Sequence, residues 1–137
     1  MLTALSTFLV LQLRADLEDT VEVEVRSGSL EIARAYQKEG AEDFRDASRA
    51  VLPHGSSAAQ VVAPGGRVLV AFGEPVARRL LVPKEFVGHA LAGERNTTTV
   101  RLGAHRFRAA IVPVRRRGHE RVIVVAESLR HVDESVS

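Results

Sequence analysis

Two apolar runs near the C-terminal end limit what this chain can fold into. They are Ala109-Ala-Ile-Val-Pro-Val114 and Arg121-Val-Ile-Val-Val-Ala126, and only a short stretch, Arg115-Arg-Arg-Gly-His-Glu120, separates them. Both are rich in β-branched residues and almost continuously apolar rather than alternating. Such runs read as central strands, because a strand with one wet face would show polar residues at every second position. The stretch between them is too short for a crossover, so the two strands are antiparallel neighbours joined by a turn. Pro113 lacks an N–H and suggests a bulge or a point where strand pairing is interrupted.

Three further strands are needed to flank this pair, and the sequence supplies them. Ala59-Gln-Val-Val-Ala63 and Arg67-Val-Leu-Val-Ala-Phe72 enclose Pro64-Gly65-Gly66, which reads as a hairpin turn. Thr97 to Leu102 forms the third, and Gly103-Ala-His105 turns it into the strand from Arg106 to Val114. On that strand Arg106 and Arg108 share one face, while Phe107 and Ala109 share the other.

Helical periodicity occupies the remainder. Leu13, Leu17 and Val21, then Leu30, Ala33 and Tyr36 with Ile32 alongside, recur at spacings of three and four, with Asp16, Glu18, Asp19 and Glu22 directed outward. Thr20-Val-Glu-Val-Glu-Val-Arg26 competes with this reading, because strict alternation of β-branched residues is a strand signal. The same helical period on both sides of it favours one long helix, with Gly28 as a weak point costing about 1 kcal/mol relative to alanine. Glu39-Gly40 ends that helix, and Ala41 to Leu52 forms a second, with Phe44, Ala47, Val51 and Leu52 on one side. Pro83 to Ala92 is a third, with proline in its first turn and Gly93 as its stop. From Glu127 onward, Leu129, Val132 and Val136 stand at helical spacing. The expected class is α+β: a long N-terminal helix on a five-stranded antiparallel sheet, helices on one face, and a C-terminal exit helix.

Composition removes many functions. At 137 residues the chain holds one domain, and it has no cysteine, hence no disulfide, thiolate ligand or cysteine nucleophile. Net charge is +2, but residues 1–50 carry six basic against ten acidic groups, and residues 51–137 carry thirteen against seven. A basic half can attract anions. Nucleic acid is not among the expected partners, since single-strand binders interleave cations with stacking aromatics and this chain has five Phe, one Tyr and no Trp. His54, His89, His105, His119 and His131 are scattered, with none paired at i, i+4, so no metal site is expected. There is no nucleophile elbow and no phosphate-binding glycine loop, and Glu42-Asp43 and Asp133-Glu134 read as solvated helix faces. No catalytic residue and no cofactor follow. Arg115-Arg-Arg117 reads as a solvated hairpin tip, with lipid headgroups or a partner as the functional alternative.

The ends differ from the middle. Met1 to Leu13 reads MLTALSTFLVLQL, thirteen residues without a charge, followed abruptly by Arg14-Ala-Asp-Leu-Glu-Asp19. A spanning helix needs about 20 apolar residues, so this run alone is too short. It reads either as a buried N-terminal helix or soluble helix pair, or as the outer part of a transmembrane helix, and the abrupt charge favours the last. The other end stops inside an amphipathic helix. The expected division is therefore 1–13 as the end of a first transmembrane helix, 14–127 as the folded domain, and 128–137 as the start of a helix leading to a second.

Three stretches carry a resemblance to a known family. Leu9-Val-Leu-Gln-Leu-Arg-Ala-Asp-Leu17 looks like a membrane helix passing into a long sensor helix. Val61-Val-Ala-Pro-Gly-Gly-Arg-Val-Leu-Val-Ala71 looks like a PAS-type hairpin, and Val122 to Val136 looks like a last strand running into a second membrane helix. The order of elements resembles the extracytoplasmic PAS-like sensor domain, of the PDC or Cache type, of a bacterial transmembrane sensor histidine kinase. The likeness is architectural and covers nearly the whole chain. It implies a signal-input domain at the cell membrane, periplasmic or extracellular, with the kinase chemistry in cytoplasmic domains outside this chain. It implies a small anionic ligand held by basic residues on the sheet, for which Arg101, His105, Arg106 and Arg108 are the candidates. It also implies a homodimer through Leu13, Leu17, Val21 and Val25. The rival reading is a soluble cytoplasmic α+β module that binds a ligand or a protein; a small enzyme with dispersed catalytic residues is a third.

Overall fold

The computed structural model describes residues 2–73 and 75–135. Met1 and the side chains of residues 2–8 from the uncharged opening run lie outside the described residues, as does Val136 of the exit helix. The elements in order are helices α1 (Leu2–Glu39) and α2 (Ala41–Val51), strands β1 (Ser57–Val62) and β2 (Val68–Gly73), and a 3-10 turn at Pro75–Arg78. Helix α3 (Lys84–Leu91), strands β3 (Asn96–Leu102), β4 (His105–Arg116) and β5 (His119–Ser128), and helix α4 (Arg130–Ser135) follow.

The five strands form one antiparallel sheet in the order β2-β1-β5-β4-β3. The two apolar runs are β4 and β5, next to each other at the middle, as their composition requires. Pro113 does not bulge: β4 and β5 stay in register through Pro113 opposite Val122. The β3 ladder ends at Ile111, so the missing N–H of Pro113 falls where β4 has no partner on that side. The irregularity in the sheet lies instead between Val61 and Val62, where β1 pairs with β2.

One expectation needs correction. Helices cover both faces of the sheet, not one. On the first face Ile32 and Ala33 of α1 and Phe44 of α2 pack on Ala59, Val61, Val112, Ile123 and Val125. On the second, Val87 and Ala90 of α3 and the Ala77–Val82 segment pack on Ala58, Val62, Ala109, Ile111, Val122 and Val124. That is why both central strands lack polar residues: each has two dry faces.

The Ala77–Val82 segment is fixed by a residue the hydrophobic pattern passes over. Gln60, fully buried on β1, donates from Nε2 to the carbonyls of Ala77 and Arg79 at 2.8 Å each, and its Oε1 accepts from the Leu81 N–H at 3.0 Å. A buried amide is tolerated because its donors and acceptor are satisfied together.

Residues 20–26 are helical, within the 38-residue α1. The alternating valines divide by helical position: Val25 is buried, Val21 half-buried and Val23 exposed. Gly28 allows close approach of the second helix, since a Cβ there would lie 3.2 Å from Val51 Cγ1 and 3.6 Å from Leu52 Cδ2. At its end α1 stops on Gly40, whose φ of 90° suits glycine, and Arg116 donates from Nη1 to the carbonyl of Gln37 at 3.1 Å. Arg116 therefore leaves the expected solvated tip and closes a helix end. The exit helix begins later than its periodicity indicates: Glu127 and Ser128 belong to β5, and α4 starts at Arg130.

Candidate functional site

The charge imbalance along the sequence becomes a seam between α1 and the sheet. Residues of even number on β4 up to 114 face α1, so Arg106 and Arg108 meet the acidic side of that helix. Arg108 Nη2 lies 2.6 Å from Glu22 Oε1 and also donates to Thr97 Oγ1 at 3.1 Å, while its Nη1 donates to Thr99 Oγ1 at 2.8 Å. Thr97 Oγ1 donates in turn to Glu22 at 2.9 Å. Arg106 joins three elements, with Nη2 at 2.5 Å from Asp133 on α4 and 3.3 Å from Glu18 on α1. Arg14 of α1 reaches the same Asp133 oxygen at 3.3 Å.

These bonds shift the titration of their members. The hydrogen bond from Arg108, supported by that from Thr97, holds Glu22 below its ordinary value. The bond from Arg106 does the same to Asp133, and Asp133 in return raises Arg106 further. A cleft of about 170 Å³ lies along the seam, lined by Glu18, Glu22, Thr99, Arg106, Arg108 and Leu129. Its guanidinium groups are occupied by carboxylates of the same chain.

The opposite face holds a larger opening at the same end of the sheet. It measures about 650 Å³ and is lined by His54 of the α2–β1 loop, His105 and Phe107 of β4, and Arg130, His131 and Glu134 of α4, among others. Phe107 lies at its base, and histidines from three separate segments stand around it. Arg130 Nε donates to Glu134 at 2.8 Å, and that bond, with the nearby charges of His131 and His105, holds Glu134 below its ordinary value. This combination of an apolar floor and converging polar groups suits a small polar or anionic molecule. Among the described residues no group of three or more histidines and carboxylates is placed to hold a metal ion.

The four candidate anion ligands therefore divide. Arg101, directly opposite Arg106 in the β3–β4 register, is exposed on the α1 face with Arg106 and Arg108; His105 is on the other face, in the larger cleft. Strand parity carried that division, since 105 and 106 cannot share a face. What the sequence did not reveal was the contribution of His54, Arg130 and His131, which come from a loop and a short helix far away along the chain. The proposed dimer strip also divides. Leu13 is exposed and Leu17 and Val21 half-buried, but Val25 is fully covered within its own protomer. Residues 9–13 are exposed at every position with respect to the described residues. No helix among the described residues is long and apolar enough to cross a membrane.

The fold is a long helix across one face of a five-stranded antiparallel sheet, with short helices and a cleft on the other. Among solved structures it is shared with the ligand-binding domain of the Campylobacter jejuni chemoreceptor Tlp3, crystallised with 4-methylisoleucine, at a TM-score of 0.60 and 11% identity. That match covers 93% of this chain, which spans 59% of the length of the Tlp3 chain. The sensor domain of Escherichia coli DcuS matches at a TM-score of 0.46 and 18% identity, covering 91% of this chain and 98% of the other. That of the zinc-responsive histidine kinase CzcS from Pseudomonas aeruginosa matches at 0.43 and 11%, covering 81% and 94%. No family model and no curated protein sequence matches the chain. At these identities the likeness shows a shared fold.

Proposed function

We propose that this chain is the signal-input domain of a membrane receptor of the sensor histidine kinase or chemoreceptor kind, placed outside the cytoplasm. The observation that carries this reading is the Tlp3-like fold combined with the position of the 650 Å³ cleft against α4. A molecule entering that cleft would touch His105 on β4 and His131 on α4. One residue further along β4, Arg106 binds Asp133, two residues beyond His131 on α4, and Glu18 on the acidic side of α1. The geometry supports a mechanical relay: occupancy shifts α4 against β4, the shift alters the Arg106–Asp133–Arg14 junction, and α1 responds. In the whole receptor α1 and α4 would continue toward the membrane, and exposed residues such as Leu9, Leu11 and Leu13 would meet a second copy or the bilayer. The rival reading of a cytoplasmic module lacks an account of five consecutive exposed residues, four of them apolar, at the start of a long helix.

The ligand class proposed is a small carboxylate, amino acids included, with His105, His131 and Arg130 as its cationic or hydrogen-bonding partners. A thermal-shift screen of the chain against amino acids, small mono- and dicarboxylates and divalent cations tests this. A ligand at 100 times its Kd adds about 2.7 kcal/mol, so a true ligand raises Tm by several degrees. The shift is expected to disappear in His105→Ala. A response to none of the carboxylates, or one unaffected by His105→Ala, would overturn the site assignment.

A further inference from the structure

A cleft of about 330 Å³ opens between α1 and the edge of the sheet, beyond the seam of Arg106 and Arg108. It is lined by Arg26 and Leu30 of α1, Arg95 and Thr97 at the start of β3, and Ala110 and Val112 of β4, among others. Arg26, Ser29 and Leu30 stand at i, i+3 and i+4, so they share one face of the helix. Thr97 pairs with Ala110 in the β3–β4 register and shares its face, and Arg95 immediately precedes the strand. Ala110 and Val112 are buried and give the cleft an apolar floor.

The guanidinium groups here stand in a different setting from those of the seam. None of the residues lining this cleft is acidic. Arg95 is exposed, and its guanidinium has no acceptor among the described residues. Arg26 Nη2 lies 3.4 Å from Glu22 Oε1, but that oxygen already takes shorter bonds from Arg108 at 2.6 Å and Thr97 at 2.9 Å. The Arg26 side chain is 63% exposed, so this long pair holds it weakly. The nearby hydroxyls are spent: Ser29 donates to the carbonyl of Arg26 at 2.8 Å, and Thr97 to Glu22. An incoming molecule therefore meets two positive charges above an apolar floor.

We propose that this cleft is a second binding site, separate from the 650 Å³ cleft on the opposite face, and that it takes a small phosphate monoester with a short apolar body. Two guanidiniums with no acid in the lining leave two charges to balance, and a phosphate monoester carries about −1.5 to −2 near neutral pH. Its oxygens match the paired N–H donors of a guanidinium. A monocarboxylate would balance only one of the two charges. The ester group rests on Ala110 and Val112, in a space of the size that small-molecule sites have. The site adjoins the seam through Glu22, since occupancy draws Arg26 away from it and leaves Glu22 to Arg108 and Thr97. The cleft is made of this chain's own side chains and stands independently of the receptor reading.

Calorimetric and amide NMR titrations of the chain with phenyl phosphate, benzoate and inorganic phosphate test this. Phenyl phosphate is expected to bind and to move amides at residues 26–30, 95–97 and 110–112, while those around His105 and His131 stay in place. Benzoate, which lacks the second charge, and inorganic phosphate, which lacks the apolar body, are each expected to bind about tenfold more weakly. Arg26→Ala and Arg95→Ala are each expected to weaken phenyl phosphate about tenfold, because a charge-assisted contact is lost, and His105→Ala to leave it unchanged. Arg95 holds no other described side chain, so Arg95→Ala is expected to melt with the parent chain. The absence of any amide shift at millimolar phenyl phosphate would overturn the site. So would shifts confined to the cleft of His105 and His131, equal binding by Arg95→Ala and the parent, or benzoate binding as tightly as phenyl phosphate.

Discussion

Arg106 is the residue on which three elements meet, and its removal has a definite expected cost. Arg106→Ala strands Asp133 and Glu18, but both are more than one-third exposed and water recovers part of the loss. The expected destabilisation in urea unfolding is about 1–2 kcal/mol. Gln60 is expected to matter more, although it carries no charge. Gln60→Leu removes three bonds at once and leaves two buried carbonyls and an amide N–H to find new partners, for a loss of about 3 kcal/mol. A result within experimental error of the parent would show that the Ala77–Val82 segment is held by Leu81 and Val82 packing alone. Both residues were visible in the sequence as positions, but not as roles. Arg106 and Arg108 were grouped correctly on one strand face, and nothing local indicated that Glu18 and Glu22, more than eighty residues earlier, would occupy them. Gln60 lay inside an apolar run where the pattern records only hydrophobicity.

Among the elements, α1 shows where local signals succeed and where they stop. Its helical period outweighed the alternation of Thr20 to Arg26, because Val23 points to solvent while Val25 packs inward. The reason for Gly28 lay in α2, beyond the reach of propensity. Alanine there gains about 1 kcal/mol of helix preference and meets Val51 at 3.2 Å, so Gly28→Ala is expected to be close to neutral. Gly28→Leu has no room and is expected to push α2 away, lowering Tm by several degrees in calorimetry. The strands were legible because their apolar runs are long. Which face each helix covers was not, since β4 and β5 are apolar on both sides and parity gives no preference. The late start of α4 has a similar cause: Glu127 and Ser128 look polar enough to leave a sheet, yet both are buried in β5.

For the whole molecule, the acidic N-terminal third and the basic remainder are complementary layers. Their contacts give stability two opposed pH limbs. Glu22 and Asp133 have values depressed in the folded state, so their contribution is present above the ordinary carboxylate values and is lost as pH falls through the folded ones. Glu127 has a raised value, so its contribution is complete below its unfolded value and declines as pH rises to about 8. A pH series of thermal melts should show a maximum in the mildly acid range. Glu22→Gln is expected to flatten the acid limb and leave the alkaline one unchanged; equal loss on both limbs would show that the seam and the buried Glu127 are not separate.

The central claim is that a ligand in the cleft on one face is felt by α1 on the other. It is tested most directly by an amide NMR titration with the carboxylate that gives the largest thermal shift. The account predicts perturbed amides at His105, His131 and the cleft rim, continuing through Arg106 and Asp133 into residues 14–22 of α1. Perturbations confined to the cleft, with α1 unmoved at saturation, would contradict it.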